Sequence, residues 1–585
     1  MTPADSKDIS SRATMALIGG VVGFAMWMLI DVVPDVLTNP HVFVTVTAAV
    51  AGFSGVLLGI VGPVPLRRAV PGALGLAIPA ALALGWASLR HETLQGFGDD
   101  GLALLAWAVI LFVGTPFMAV RLIHPDRWRN YGELFDFSWS VVVRYSAAWL
   151  FAGVFWGILL LSNALFEIVA ITIIEDLLDI DPVPHVLTGA VLGLALTVVY
   201  EMREYLSPFM VLRLMRILVP VMVVVVGVFA LALPFRDMNN LFGGLSPSAT
   251  LLVVAIGSIT LVSVAVDRSD DRAVALRFMR LATEALAILL VVLAGLTVYA
   301  IWLRVDQHGW TPERLAAAIA AGIVSTYAVV YALAVARRGG WMQHVRDANV
   351  WVALGVIGVA FLWLTPVLNP ERIATNSQVA RYLDGRVSAD DAAVWEMAHD
   401  WGRAGQVGLA RLAALEGEEH ADIRKAIDLA GQTDRRHVFQ RRSGDKAREI
   451  KVADLLANLT VVGSGAEMTA DALSILPDFR LDDWGQVCAR ASDPGCVVVI
   501  GDFGGAEGAE GILFLPRRGV HYDAIQLRFE EDRLIAGAFL RNQSRDGVAE
   551  ITEDDVARIK AGDFEIAPSS RKSLWLDDLE ISPDN

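Results

Sequence analysis

Cysteine is almost absent from this chain: of 585 residues only two, Cys488 and Cys496, carry a thiol. Two thiolates eight positions apart, with no His or Cys companions at ligand spacing, do not make a zinc site. Charge is also sparse, at 19% of residues, and most of it lies in loops and in the C-terminal tail. No phosphate-cradling glycine loop or HExxH is present, and the ten histidines are scattered. Gly463-Ser-Gly465 lacks the surroundings of a nucleophile elbow. These absences leave no catalytic residue, metal ligand or cofactor to name. What the chain has instead is apolar surface: hydrophobic types reach 55% and mean hydropathy is +0.51, far above a soluble enzyme.

That surface is organised. About eleven apolar stretches, each long enough or nearly so to cross a hydrocarbon core of ~30 Å, run between Ala13 and Leu368. Their expected limits are 13–33, 42–61, 70–89, 102–120, 141–171, 186–200, 214–233, 249–266, 281–303, 315–336 and 348–367. The shortest, Val186–Tyr200, needs its flanks to cross, and the longest, Val141–Ile171, must tilt, bend or project. Glycines four apart, Gly19/Gly23, Gly55/Gly59, Gly153/Gly157 and Gly189/Gly193, can bring helices close, although glycine is common in such spans. Trp86, Trp302, Trp341 and Trp351 lie near span ends, where interfacial anchors sit. Arg121–Ser140 alternates basic and aromatic residues and suits a segment lying on the membrane surface.

Basic residues near span ends stay in the cytoplasm. With the N-terminus inside, inner loops hold about 17 of them, among them Arg67, Arg68, Arg213, Arg337 and Arg346, whereas outer loops hold only Arg90, Arg236, Arg304 and Arg314. An odd span count then places the C-terminal part outside. The first span has no clear cleavage site and reads as an uncleaved signal anchor.

Residues 370–585 form the second part of the expected two-domain organisation, after a membrane domain over 1–369. From Glu371 onward this tail carries -13 of the formal charge of -16, which disfavours nucleic acid and anionic lipid as its partners. It reads as an α+β domain. Helical patterns follow Ser388-Ala-Asp-Asp391 to Leu415, then cover Ile423–Ala430 and Ala447–Leu459, and begin again at Thr552. Strands are expected at Val497–Ile500, Ile512–Leu515, Ala524–Phe529 and Leu534–Leu540. Cys488 and Cys496 flank a turn-prone segment and close a disulfide in an oxidising periplasm; otherwise they are two buried thiols. Asp502–Glu510 looks like a worn calcium loop, but Gly504 and Ala506 occupy the alternate ligand positions.

Ion-coupled carriers keep charge near the bilayer midplane. Here Glu167 and Glu284 sit toward span ends, and Ser325, Tyr327 and Tyr331 form a polar face on the tenth span. These five are the candidate membrane-region site, and a proton pump or ion-driven carrier is disfavoured. Asp31 with Asp35, and Glu175, Asp176, Asp179 and Asp181, give the outer loops a layout like that of glycosyltransferases using lipid-linked sugars, without a recognisable motif. Arg314, Arg372 and Arg381 can form an outer site for an anionic headgroup or glycan phosphate, or act only as structural punctuation.

Two stretches carry a resemblance: Gly309-Trp-Thr-Pro-Glu-Arg-Leu315 before the tenth span and Leu368-Asn-Pro-Glu-Arg-Ile-Ala-Thr-Asn-Ser-Gln-Val-Ala-Arg-Tyr-Leu-Asp-Gly385 after the eleventh. With the many spans they resemble the bacterial DUF4153 family. The resemblance implies a polytopic inner-membrane protein with an extracytoplasmic C-terminal portion, and supplies no activity or functional residue. The expected fold class is therefore an all-α bundle of about eleven spans followed by an α+β soluble domain. The expected role is a non-enzymatic platform that contacts membrane lipid and binds an envelope protein or glycan; the alternative is a transporter or lipid-linked substrate handler.

Overall fold

The computed structural model describes residues 3–98, 101–202, 208–232, 247–433 and, with short interruptions, 435–581. Eleven helices are long and apolar enough to cross a membrane, and the chain is a multi-pass membrane protein. They are α1 (Pro3–Trp27), α2 (Pro40–Ile60), α3 (Leu66–Ser88), α4 (Gly101–Ile123), α5 (Tyr131–Ile168), α6 (Pro182–Glu201), α7 (Pro208–Ala232), α8 (Pro247–Val266), α9 (Arg277–His308), α10 (Pro312–Arg337) and α11 (Trp341–Leu364). A π turn over Met28–Val32 carries the first span on to Val36.

Prolines at the start of α2, α6 and α10 and side-chain caps set where helices begin, because a first-turn proline loses no hydrogen bond. Asn39 accepts the N–H groups of His41 and Val42, Asn130 that of Glu133, and Thr311 that of Arg314. Flanks from Pro182 to Glu201 make the shortest expected span twenty residues long. The longest grows in the other direction. Tyr131–Ser140, expected on the membrane surface, is instead the first part of α5, whose 38 residues extend about 57 Å. Leu134, Phe135 and Phe137 bury this extension among the neighbouring helices.

The spans pack around two apolar cores. One is built by α1–α6 with the ends of α11, the other by α7–α11. The closest approach in the first is α1 against α6. A methyl group on Gly19 would overlap the Gly189 carbonyl, one on Gly23 the His185 carbonyl, and one on Gly193 the Met15 carbonyl. Arg12 and Glu201 pair at 2.6 Å at the end of the same contact. Two of the four glycine pairs thus form one crossing, whereas Gly55, Gly153 and Gly157 meet nothing within 4 Å. Trp86, Trp302 and Trp351 are exposed like interfacial anchors, but Trp341 is 2% exposed and belongs to the second core.

The chain divides into two compact units, Met1–Ala430 and Gly431–Asn585. The first therefore includes four helices beyond the last span: α12 (Pro370–Leu383), α13 (Val394–His399), α14 (Gly402–Ala413) and α15 (Ala421–Gly431). The helix expected from Ser388 to Leu415 is broken between α13 and α14. Gly402, at φ +48°, lies so near the Arg90 carbonyl that a Cβ would overlap it, and the Arg403 N–H donates to that same oxygen at 2.8 Å. Only glycine meets both the left-handed backbone and the close approach.

In the second unit, β1 (Leu459–Gly463) runs parallel to β2 (Cys496–Gly501), followed by antiparallel β3 (Ala509–Pro516), β4 (His521–Glu530) and β5 (Arg533–Phe539). One sheet face packs on α16 (Asp445–Ala457) and α17 (Asp478–Arg490), the other on α18 (Glu553–Lys560). The four expected strands are all present. β1 and α17 are additional, and the expected helix over Ala447–Leu459 ends at Ala457, its last residue, Leu459, opening β1. Coverage of both faces explains why Cys496–Ile500 is buried throughout. Cys488 at the end of α17 is disulfide-bonded to Cys496 at the start of β2, with Cα atoms 5.5 Å apart. Ser464, Gly465, Asp502 and Gly504–Gly508 lie outside the described residues.

Gly189→Ile costs about 1–3 kcal/mol or more through overpacking, while Gly153→Ile stays within about 0.5 kcal/mol, both read by reversible unfolding in detergent. Thr552 and Asp555 cap α18 reciprocally, and the Thr552 N–H and hydroxyl hold the Asp555 carboxyl below its usual range. A depressed carboxylate contributes stability above its unfolded pKa and loses it as pH falls through the folded one. Hydrogen exchange over 553–560 therefore accelerates in Thr552→Ala, by an amount corresponding to about 1 kcal/mol, and the difference between the two proteins shrinks under acid.

Candidate functional site

The polar side chains of the second core gather near the end that shares a face with the N-terminus. Asn349 of α11 is the hub. Its Nδ2 donates to Ser263 Oγ of α8 at 3.2 Å and to the Tyr131 hydroxyl of α5 at 3.3 Å, and its Oδ1 accepts the Tyr331 hydroxyl of α10 at 2.5 Å. Ser263 Oγ also lies 3.1 Å from the Tyr331 hydroxyl. Four helices are thereby joined through one carboxamide. Tyr331 is fully buried, and Tyr327 stacks edge-on against it at 5.6 Å. Tyr131 and Asn349 also line a cavity of about 200 Å³ whose other walls include Phe112, Phe117 and Trp139.

Below this cluster, the loop after α8 is gripped by arginines. Asp267 takes the left-handed conformation at φ +51°, which short polar side chains tolerate better than most. Its carboxylate pairs with Arg216 of α7, which also donates to the Val264 and Arg272 carbonyls. Arg346 of α11, 2% exposed, donates to the Val266 and Asp267 carbonyls at 2.8 and 3.0 Å and to Asp270 at 2.8 Å. Arg268 bonds Asp136 of α5 at 2.5 Å, and that bond raises its affinity for its proton. The carbonyls at a helix C-terminus carry partial negative charge, so arginine is suited to this place.

At the opposite ends of the spans the two family-like stretches meet each other. From α12, the Gln378 amide donates to the His308 and Trp310 carbonyls at 2.9 and 3.1 Å, and Arg381 donates to Asp306 and Gln307 at 2.9 and 2.6 Å. Ser377 accepts the Trp310 N–H at 3.1 Å, and Arg314 turns back to the His308 and Gly309 carbonyls. Nearby, buried Arg90 pairs with buried Glu371 at 3.4 Å and donates to the Trp363 and Thr365 carbonyls. The end of α9, the turn before α10 and the second half of α12 thus form one hydrogen-bonded collar. Burial pushes the Tyr382 hydroxyl pKa up beside His420, its partner at 3.1 Å.

The expected site residues are distributed unevenly. Tyr327 and Tyr331 come together, but Ser325 lies on another face of α10, half-buried. Glu284 pairs with Arg280 one turn away at 3.5 Å, and Glu167 is exposed at the last turn of α5. Arg314 and Arg381 converge, yet on main-chain carbonyls, and Arg372 reaches the Pro366 carbonyl at 3.4 Å. Asn349, Ser263, Tyr131 and Asp267 were not among the expected residues. A lone carboxamide inside the apolar run from Ala348 was the available signal. A second cavity, about 430 Å³, lies between α1, α2, α5 and α6 and is lined mainly by carbon, with Ser54, Tyr145, His185 and Thr188 as its polar residues. Among the described residues no three His, Cys, Asp or Glu side chains are placed to hold a metal.

The family described as a domain of unknown function, DUF4153, matches residues 53–394, more than half of the chain. The chain belongs to the DUF4153 family. No curated protein and no solved structure matches it. The DUF4153 match takes in the polar hub, the arginine-gripped loop and the collar through α12, and ends before the second unit.

Removing the hub tests its worth. Tyr331→Phe costs about 0.6–1.7 kcal/mol, whereas Asn349→Leu, which takes the shared partner from three hydroxyls and leaves Ser263 and Tyr331 only each other, costs about 1–3 kcal/mol. In a double-mutant cycle read by unfolding in detergent the two are strongly non-additive.

Proposed function

We propose that this DUF4153 protein is a non-enzymatic platform of the bacterial inner membrane, with its N-terminus in the cytoplasm. Residues 370–585 stand in the periplasm, where the second unit binds an envelope component or a protein partner. The observation that carries this reading is how the polar groups of the spans are used. Asn349, Tyr331, Ser263 and Tyr131 bond one another, and Arg216, Arg346, Arg314 and Arg381 bond carboxylates and helix-end carbonyls. A carrier needs a continuous polar cavity between its helices, whereas both cavities described above are walled chiefly by carbon.

The collar supports a transmitting role. It ties α9, α10 and α12 to one another through main-chain carbonyls, so whatever follows α12 begins from a fixed position. The disulfide fits an oxidising compartment, in agreement with the basic bias of the loops on the N-terminal face.

Thiol labelling of intact cells tests the placement. Cys488 and Cys496 take up a membrane-impermeant maleimide only after reduction, and a reporter fused after Asn585 reads as periplasmic; a cytoplasmic reporter contradicts the proposal. A photo-cross-linker replacing exposed Phe479 tests the binding role. A discrete adduct with an envelope component supports it, and the absence of any adduct contradicts it.

A further inference from the structure

The cavity between α1, α2, α5 and α6 has an unusual neighbour. Arg144 of α5, 4% exposed, donates to the Gly59 carbonyl at 2.7 Å and lies near the Tyr200 ring. Gly59 and Tyr200 belong to the last turns of α2 and α6, so the guanidinium sits where those helices leave the hydrocarbon on the N-terminal face. No carboxylate among the described residues forms an ion pair with it, although the cost of burying charge leads buried cations to take an acidic partner. Arg90 and Arg346, also buried, and Arg216, whose side chain is 12% exposed, all have one.

The cleft begins beside that cation. Leu58 and Tyr145, each next in sequence to a residue of the Arg144–Gly59 hydrogen bond, are part of its wall. On α6 the wall runs from Pro184 to Leu196, about 18 Å at the helical rise, a large fraction of a ~30 Å hydrocarbon core. Val22, Ala51 and Leu192 face the interior, and Trp149, 58% exposed, marks the lipid-facing edge. Arg67 and Arg68 open α3 on the same face, exposed and without an acidic partner among the described residues.

We propose that this cleft binds one anionic phospholipid from the leaflet on the N-terminal face, its acyl chain between α1, α2, α5 and α6 and its phosphate on Arg144. The phosphate supplies a negative charge that no carboxylate among the described residues gives Arg144, bonding to the guanidinium hydrogens that the Gly59 and Ser140 carbonyls leave over. The chain fills a carbon-lined volume that water does not wet well. The site concerns the first unit alone and does not depend on the orientation or on the role of the second unit.

Native mass spectrometry of the full chain in detergent, titrated with phosphatidylglycerol or phosphatidylcholine, reads it directly. One phosphatidylglycerol is expected to bind at least about fivefold more tightly than phosphatidylcholine. Arg144→Gln removes that preference, Arg144→Lys keeps most of it, and Ala51→Trp, which fills the cleft, weakens both lipids at least about fivefold. Equal binding of the two lipids by the natural chain overturns the proposal, as does a preference that survives Arg144→Gln. Displacement of phosphatidylglycerol by inorganic phosphate, with no effect of Ala51→Trp, shows a free-anion site and also overturns it. Should Arg144→Gln fail to fold, Ala51→Trp decides, since unchanged phosphatidylglycerol affinity there is incompatible with a chain in the cleft.

Discussion

A polar group inside hydrocarbon has no water to turn to, so its partner must come from the protein. That constraint organises the first unit from one face to the other. On the N-terminal face, the carbonyls that α8 leaves unpaired at its end are taken up by Arg216 and Arg346. On the opposite face, those of α9 are taken up by Arg314, Gln378 and Arg381. Between them Asn349 joins α5, α8, α10 and α11. Since lipid is as apolar as leucine, helix association gains little from burying leucine, and small-residue contacts and hydrogen bonds decide which helices meet. Gly19, Gly23, Gly189 and Gly193 do so for α1 and α6, where two backbones touch without side chains between them.

The same constraint explains what could be read from the residues. Spans were legible because hydrocarbon thickness sets a length that composition reveals, and eleven were expected and are present. The strands at Val497–Ile500 and Ile512–Leu515 were legible because β-branched runs end in turn residues. Partners across the fold were not. The spacing of Gly55/Gly59 is the same as that of Gly19/Gly23, and only the neighbours differ: backbone of Gly189 and His185 in one case, open space at Gly55 and ordinary side-chain contact at Gly59 in the other. Gly402 reads as an ordinary helix interruption until the Arg90 carbonyl is found against it. Arg314 and Arg381 looked like free cations because carbonyl acceptors carry no sequence signature, whereas carboxylates do. α17 was missed although Leu481, Trp484 and Cys488 fall at helical spacing, because Asp and Arg between them dilute the pattern.

Two kinds of interior thus coexist in the membrane unit. The second core is cross-linked by side-chain hydrogen bonds and tightly capped, properties of a scaffold that holds one arrangement. The first core has glycine-mediated contact, a carbon-lined cleft and a buried cation without a described counter-charge, properties of a surface that lipid completes. The division shows two ways in which one helical unit specifies its own arrangement. Among the described residues these polar side chains hold helices in register, and the DUF4153 match spans most of those contacts.

A hub that binds helices together and lines no path keeps its side chains away from water. Because the two native cysteines are bonded to each other, Ser263→Cys introduces a single thiol at the hub. In reconstituted vesicles a small, charged, membrane-impermeant thiol reagent added to either side should leave it unmodified while the protein stays folded. Rapid modification from one side or both would show that water reaches Asn349 and Tyr331, and would replace the packed platform with a conducting one.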